Sequence, residues 1–296
     1  MRQRFLPGGG HATTGENLGM RKVEAPTLTI EPSTGWVGID VGEIWRYREL
    51  LAIFAWRDVK VRYSQTVLGA LWVWGQPLVA MAIFTFVFSY IARIPSQGDM
   101  PYSLFVFSGL LPWTFFAASV QSAGNSLVGN ASLLSKVYFP RVLIPMAAVA
   151  VAGVDLGVTC LLLGAMALWF SVVPGVSLVA LPVVVAIAAA LSLGIGLFFA
   201  ALNVEYRDVR VVVPFVVQIW MYGTPVVYPQ SALPERVRSL VALNPMTGVV
   251  EAFRASTLGL PLPWAELAIS AAWAVTLLIS GMLYFRRMER RFADLV

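Results

Sequence analysis

Residues 130–141 read NASLLSKVYFPR, a charged, helix-capable link between two apolar runs, 102–127 and 142–170. Each of those runs is long enough to cross a bilayer. Asn130 or Ser132 can cap a short helix, and Leu133, Leu134 and Val137 give it an apolar side. Lys136 and Arg141 bracket it, and Pro140 stops it. A bare turn would have sufficed to reverse the chain. The stretch therefore reads either as a loop on the lipid surface or as a knob that docks on a cytosolic partner.

Composition fixes the setting. With 296 residues, 58% hydrophobic, 12% charged and a mean hydropathy of +0.75, the chain carries far more apolar surface than a water-soluble fold of this size buries. Several runs exceed the ~20 apolar residues a helical span needs, and no series of ~10-residue alternating segments suggests a barrel. The expected fold class is an all-α integral membrane protein. Nucleic acid is not implied by a net charge of +5. Cys160, the single cysteine, lies inside an apolar run and leaves no disulfide framework.

Outward from the 130–141 link, residues 1–42 lack helical or strand periodicity and read as a mobile cytosolic tail. Within it, residues 10–17 imitate the spacing of a phosphate-binding loop, but Glu16 stands where a lysine is needed and would repel the anion. His11 is the sole histidine. From 43 to 63, Ile44, Tyr47, Leu51, Phe54 and Ala55 recur at helical spacing while Arg46, Glu49, Arg57 and Lys60 fall opposite. This predicts an amphipathic interface helix lying on the membrane, its basic side toward water and lipid phosphates.

Six hydrophobic segments follow: 64–92, 102–127, 142–170, 178–202, 210–227 and 265–285. With the amino terminus inside, thirteen basic residues near span ends are cytosolic, including Arg46, Arg57, Lys60, Lys136, Arg141, Arg207 and Arg286, against four outside, Arg93, Arg236, Arg238 and Arg254. That bias places both termini, residues 130–141 and residues 203–210 in the cytosol. The segment 210–227 meets Pro214 early and Thr224-Pro225 late, leaving about 10 to 15 good helical residues, so it barely crosses. Residues 226–260 are apolar for an outside loop and divide at Asn244-Pro245 into helix-capable pieces 232–243 and 246–258, read as re-entrant helices or as a surface hairpin. The last few residues, 291–296, read as a cytosolic C-terminus.

Asp155 is the one carboxylate deep in a span, so it must be neutral, paired or wet. Gly153 and Gly157 beside it form a GxxxG face for close helix approach, and Asp155 points nearly the other way, toward Ala148, Ala152 and Thr159. Trp113, Thr114, Ser119, Gln121 and Asn125 make 102–127 the most polar segment. It is a candidate pore-lining helix, since sugar rings stack on aromatic faces while hydroxyls and amides exchange hydrogen bonds. Trp72, Trp220 and Tyr222 are further aromatic candidates for the lining, and aromatic core packing is an equal reading for any one of them. No paired carboxylates, metal-ligand spacing or nucleophile beside a base suggest an enzyme. The pair Gly194 and Gly196 reads as helix packing, and energy for any transport must come from elsewhere.

The segments WRDVKVRYSQTVLGALW (56–72), FPRVLIP (139–145), YRDVRVVVPFVVQIWMY (206–222) and LNPMTGVVEAFR (243–254) resemble, in order, the ABC-2 type permease subunits of polysaccharide exporters that move O-antigens, teichoic acids and capsular glycans. The match covers about residues 43–290. The resemblance implies a homodimer of six-helix subunits in the bacterial cytoplasmic membrane, exporting a lipid-linked glycan through a pore between protomers. Two copies of a separate cytosolic ATPase would carry ATP and Mg²⁺, and this chain would hold no cofactor. By position, residues 43–57 would lie over the ATPase. Residues 130–139, with Asn130, Leu133, Leu134, Lys136, Val137 and Phe139, would form the coupling helix, bordered by Arg141. Arg207 and Asp208 would make a second contact. Residues 225–260, with Tyr228, Asn244, Pro245, Glu251 and Arg254, would be gate helices. A drug or small-lipid exporter of the same family, an ATPase-independent channel or carrier, and more distantly a membrane glycosyltransferase are the competing readings.

Overall fold

Apolar segments in a bilayer must satisfy their backbone groups internally, and the described residues do so as helices throughout, with no strand among them. The computed structural model describes residues 41–64, 69–93, 100–134, 139–206 and 208–295. The tail, Lys136, Val137 and Arg207 lie outside these residues. The helices are α1 (Val41–Arg46), α2 (Arg48–Ser64), α3 (Gly69–Phe84), α4 (Tyr102–Gly129), α5 (Ala131–Leu134), α6 (Leu143–Trp169), α7 (Leu181–Glu205), α8 (Val209–Tyr222), α9 (Glu235–Ala242), α10 (Pro245–Leu258) and α11 (Trp264–Leu295).

Five helical stretches are long and apolar enough to cross a membrane: Trp74–Ile91, Tyr102–Gly129, Leu143–Trp169, Val176–Glu205 and Trp264–Glu289. The sixth expected segment contributes α8, 14 residues with Pro214 inside, which at 1.5 Å per residue extends only ~21 Å. That is the short helix its prolines imposed. The first span is not one regular helix, because α3 passes into a π-helical stretch, Thr85–Ile91. The last helix runs 32 residues, so most of the expected C-terminal tail is helical and continuous with the span.

Helix α4 is the hub, most of its residues buried inside the protein, whereas Trp74–Ile91 is largely uncovered. Phe105, Phe107 and Phe116 of α4 are buried in one core with Leu191 of α7 and Val249 and Phe253 of α10. Glycines permit the tightest approaches. A Cβ on Gly194 of α7 would lie 2.6 Å from the backbone of Leu277 and Leu278 in α11, and one on Gly196 would lie 2.6 Å from the Ala123 Cβ of α4. Two glycines on one helix thus seat two neighbours, the packing their spacing suggested. The other small-residue pair behaves differently. Gly157 has open space where a Cβ would stand and Gly153 meets only Phe115, at 3.9 Å, so among the described residues no helix backbone closes on the GxxxG face.

A second core gathers Leu127, Phe139, Leu143, Leu197, Met282 and Phe285, and Ile44, Tyr47, Leu50, Leu51 and Phe54 of α1 and α2 pack against it. Phe139 of the 130–141 link and Phe285 and Met288 of α11 belong to the core that these residues pack against, and the residues themselves stay partly exposed, so the protein's own helix ends cover part of the apolar side. Arg46, Glu49, Arg57 and Lys60 face outward as expected, accompanied by exposed Trp45 and Trp56.

Candidate functional site

Three polar constellations lie along the bundle. The first is the elbow between α4 and α6. Asn130 ends α4, donates from Nδ2 to the Ser126 carbonyl at 2.9 Å, and accepts from Arg57 Nη2 at 3.2 Å. The Phe139 ring meets Phe54 edge-on at 5.4 Å, and the Arg57 guanidinium lies 5.5 Å from the centre of Phe54. Phe139 is only 6% exposed. Its ring clamps the elbow to α2. Leu133 is half-buried, and the side chain of Leu134 falls outside the described residues. Arg141 donates to the Glu289 carbonyl at 3.2 Å and lies 3.8 Å from its carboxylate. Arg286 pairs with Glu43 at 3.9 Å, so α1, the elbow and α11 form one clasp. Asp208 is exposed at the start of α8, apart from the clasp contacts.

The second constellation surrounds Asp155. Arg62 Nη1 contacts its Oδ2 at 2.8 Å and the Tyr63 hydroxyl donates to its Oδ1 at 2.7 Å. Of the three possibilities for this acid, the structure shows a paired one. Burial first, and then the hydrogen bond to Asp155, push the Tyr63 hydroxyl up to about 12, so it stays a donor at neutral pH. A cavity of about 310 Å³ opens beside the pair, lined by Arg62, Gln76, Thr114, Gln121, Asp155 and Thr159 among others. Thr114, Gln121 and Asp155, candidates from two different segments, are brought together here.

Other lining candidates part company. Trp113, 3% exposed, and Ser119, 0%, are buried within the chain, which for Trp113 is the packing reading that the sequence left open. Asn125 accepts from Asn203 Nδ2 at 3.0 Å, binding α4 to α7. Trp72 lies in α3, and its side chain is outside the described residues.

The third constellation ties α8, α10 and α4 together around Asn244 and Arg254. Asn244 caps α10, with Pro245 following: its Oδ1 accepts from Met246 N at 3.0 Å and Trp220 Nε1 at 2.9 Å. Its Nδ2 donates to the Gly223 carbonyl at 3.0 Å and to Thr224 Oγ1 at 2.9 Å. Trp220 also stands edge-on to Phe116 of α4 at 5.4 Å. Tyr228 donates to the carbonyl of exposed Tyr222 at 3.0 Å. Arg254, fully buried, lies 3.9 Å from the Phe105 ring centre, pairs with Glu251 at 2.9 Å and donates to the carbonyls of Pro225 and Val226 at 3.2 and 3.0 Å. Gly109 of α4 must lack a Cβ, which would lie 2.5 Å from both the Arg254 Nη2 and the Val226 carbonyl. The broken end of α8, the start of α10 and the middle of α4 are thereby locked together.

Sequence reasoning missed Arg62 and Tyr63 as partners of Asp155, although a lone acid within a span calls for a nearby cation. It also missed Phe54, Glu43 and Glu289, whose roles depend on helices meeting far along the chain.

Comparison with known proteins accords with this arrangement. The family model described as ABC-2 type transporter matches residues 49–258. The chain is 32% identical over 257 residues to the O-antigen export system permease protein RfbA of Myxococcus xanthus, covering 86% of this chain and 98% of that protein. It is 28% identical over 249 residues to an RfbA of Klebsiella pneumoniae, covering 84% and 95%. A more distant similarity, 22% over 240 residues, links it to the polysialic acid transport protein KpsM of Escherichia coli, covering 79% and 91%. The chain belongs to the ABC-2 type transporter family, in which its relatives are permeases of O-antigen and polysaccharide export.

Proposed function

We propose that this chain is the membrane-crossing subunit of an ATP-driven exporter that carries a lipid-linked polysaccharide across the cytoplasmic membrane. The observation that carries the reading is the near full-length match to O-antigen export permeases, joined to an elbow between two long spans that is wedged against α2. Hydrolysis of ATP with Mg²⁺ is assigned to a separate cytosolic ATPase, as the family implies, with two copies of it engaging two copies of this chain. Both termini and the elbow are cytosolic in this reading, α8 completes a sixth crossing, and α9 and α10 form a re-entrant pair at the outer mouth.

Movement follows from rigid attachment. When nucleotide draws the ATPases together, force on α5 reaches α4 and α6, which it joins, and reaches α2 through Phe139 and Arg57. The test is co-purification of this chain with the product of an adjacent P-loop gene from native membranes. Leu134→Glu is expected to abolish association or ATPase stimulation without preventing insertion, and a chain purified alone from cells that make that ATPase contradicts the reading. Cargo of the drug or small-lipid class has no observation favouring it.

A further inference from the structure

The cavity beside Asp155 contains more hydrogen-bonding capacity than the fold uses. The side-chain amides of Gln76 and Gln121 line it without a hydrogen-bond partner among the described residues. Asp155 spends one oxygen on Tyr63 and the other on Arg62, which leaves about two of a carboxylate's four lone-pair directions open. Asp155 stands twelve residues into α6, ~18 Å from its start and near the middle of the span. Yet the Arg62 side chain is 47% exposed there. A guanidinium at that depth is not tolerated against lipid tails, so the mouth of this cavity opens on water or protein.

We infer that this cavity binds one uncharged, hydroxyl-rich sugar unit of the exported chain, a reading that rests on the export function proposed above. The lining alternates acceptors (Asp155), donors (Arg62) and groups that do both (Gln76, Gln121, Thr114, Thr159), which is the pattern vicinal hydroxyls require. Phe115, Leu156 and Pro77 supply an apolar wall for the C–H face of a sugar ring. The ion pair sums to zero charge. A phosphate group of a lipid carrier would have to take Arg62 from Asp155 while approaching that carboxylate, whereas a neutral diol bonds both and displaces neither. At about 310 Å³ the space is at the small end of ligand pockets, suited to a unit of the polymer and not to a stretch of it.

The experiment uses the permease and its ATPase purified together in lipid nanodiscs, with Cys160→Ser as background. Ala118→Cys reports from the cavity wall, and Val176→Cys, at a position 91% exposed, serves as control. Labelling by a small maleimide is timed with the oligosaccharide released by mild acid from the cell's own surface glycan, and separately with inorganic pyrophosphate. The oligosaccharide is expected to slow labelling of Ala118→Cys alone and pyrophosphate to slow neither. Asp155→Asn is expected to raise the half-protecting concentration about tenfold, the worth of one charge-assisted hydrogen bond. Tyr63→Phe, which retains the ion pair, is expected to keep most of the protection and guards against misreading a folding defect. Absence of protection, protection by pyrophosphate as strong as by the oligosaccharide, or an Asp155→Asn response equal to the parent overturns the inference. Export measured on the same preparations separates the two readings: export without protection removes the cavity site alone, and a complex that moves no glycan removes the export function.

Discussion

Removing either member of the Arg62–Asp155 pair is expected to cost unequal amounts, because the two ends are unequally wet. The Arg62 side chain is 47% exposed and that of Asp155 is 16% exposed. In Asp155→Asn the half-exposed guanidinium is still reached by water, the amide oxygen still accepts from Tyr63, and the loss is that of a partly solvated ion pair, about 1 kcal/mol. In Arg62→Met a mostly buried carboxylate keeps only the Tyr63 hydroxyl, and the cost rises to about 3 kcal/mol, the lower end of the range for stranding a buried charge. For a chain of this size these become drops in Tm of about 3 °C and about 9 °C. The double variant Arg62→Met/Asp155→Asn strands no charge and is expected to fall near Asp155→Asn, well short of the sum. Thermal unfolding of the four purified proteins in one detergent measures all of this. A reversed order of the single variants, or a double variant equal to their sum, refutes the claim that Asp155 depends on α2 for its counter-charge.

Other consequences follow from the packing. Phe139→Ala is expected to lose about 3 kcal/mol, through the cavity and the lost ring pair with Phe54, and to lower ATPase stimulation as α2 loosens from the elbow; a stimulated rate equal to wild type contradicts it. Gly248→Ala places a Cβ against the Glu266 carbonyl of α11, so a destabilisation of about 2 kcal/mol or more is expected in thermal melts, and an unchanged Tm shows that α10 and α11 can part there freely. Asn244→Ala releases four hydrogen bonds, and faster amide exchange at residues 220–226 is expected by mass spectrometry, with a cost of about 2 kcal/mol; exchange confined to α10 argues against a knot shared with α8.

Much of the architecture was legible because long apolar runs have one solution in a bilayer. The helical class, the ends of α4 and α6, the shortness of α8 and the division at Asn244-Pro245 all came from span length and proline placement. The site was less legible, for a physical reason. Helical periodicity says which residues share a face, not what covers that face. So Ile44, Tyr47, Leu51 and Phe54 were recognised as an apolar stripe, but the second core they pack against was not. Trp113 was counted among the lining candidates of 102–127, yet its ring packs 5.4 Å from Phe116 within the core. Arg254 was counted among exterior basic residues, although Glu251, two carbonyls and an aromatic face allow it to be fully buried. Asp155 demanded a partner by charge alone, but Arg62 is 93 positions away in sequence, a pairing only the folded chain reveals.

Proteoliposomes that contain this chain and its cognate ATPase, loaded with native lipid-linked glycan on the ATPase-facing leaflet, test the central claim most directly. The account predicts that glycan becomes accessible to a lectin on the opposite side only when ATP and Mg²⁺ are supplied, and that Leu134→Glu blocks its appearance. Equal translocation by the permease alone, without nucleotide or ATPase, would contradict it.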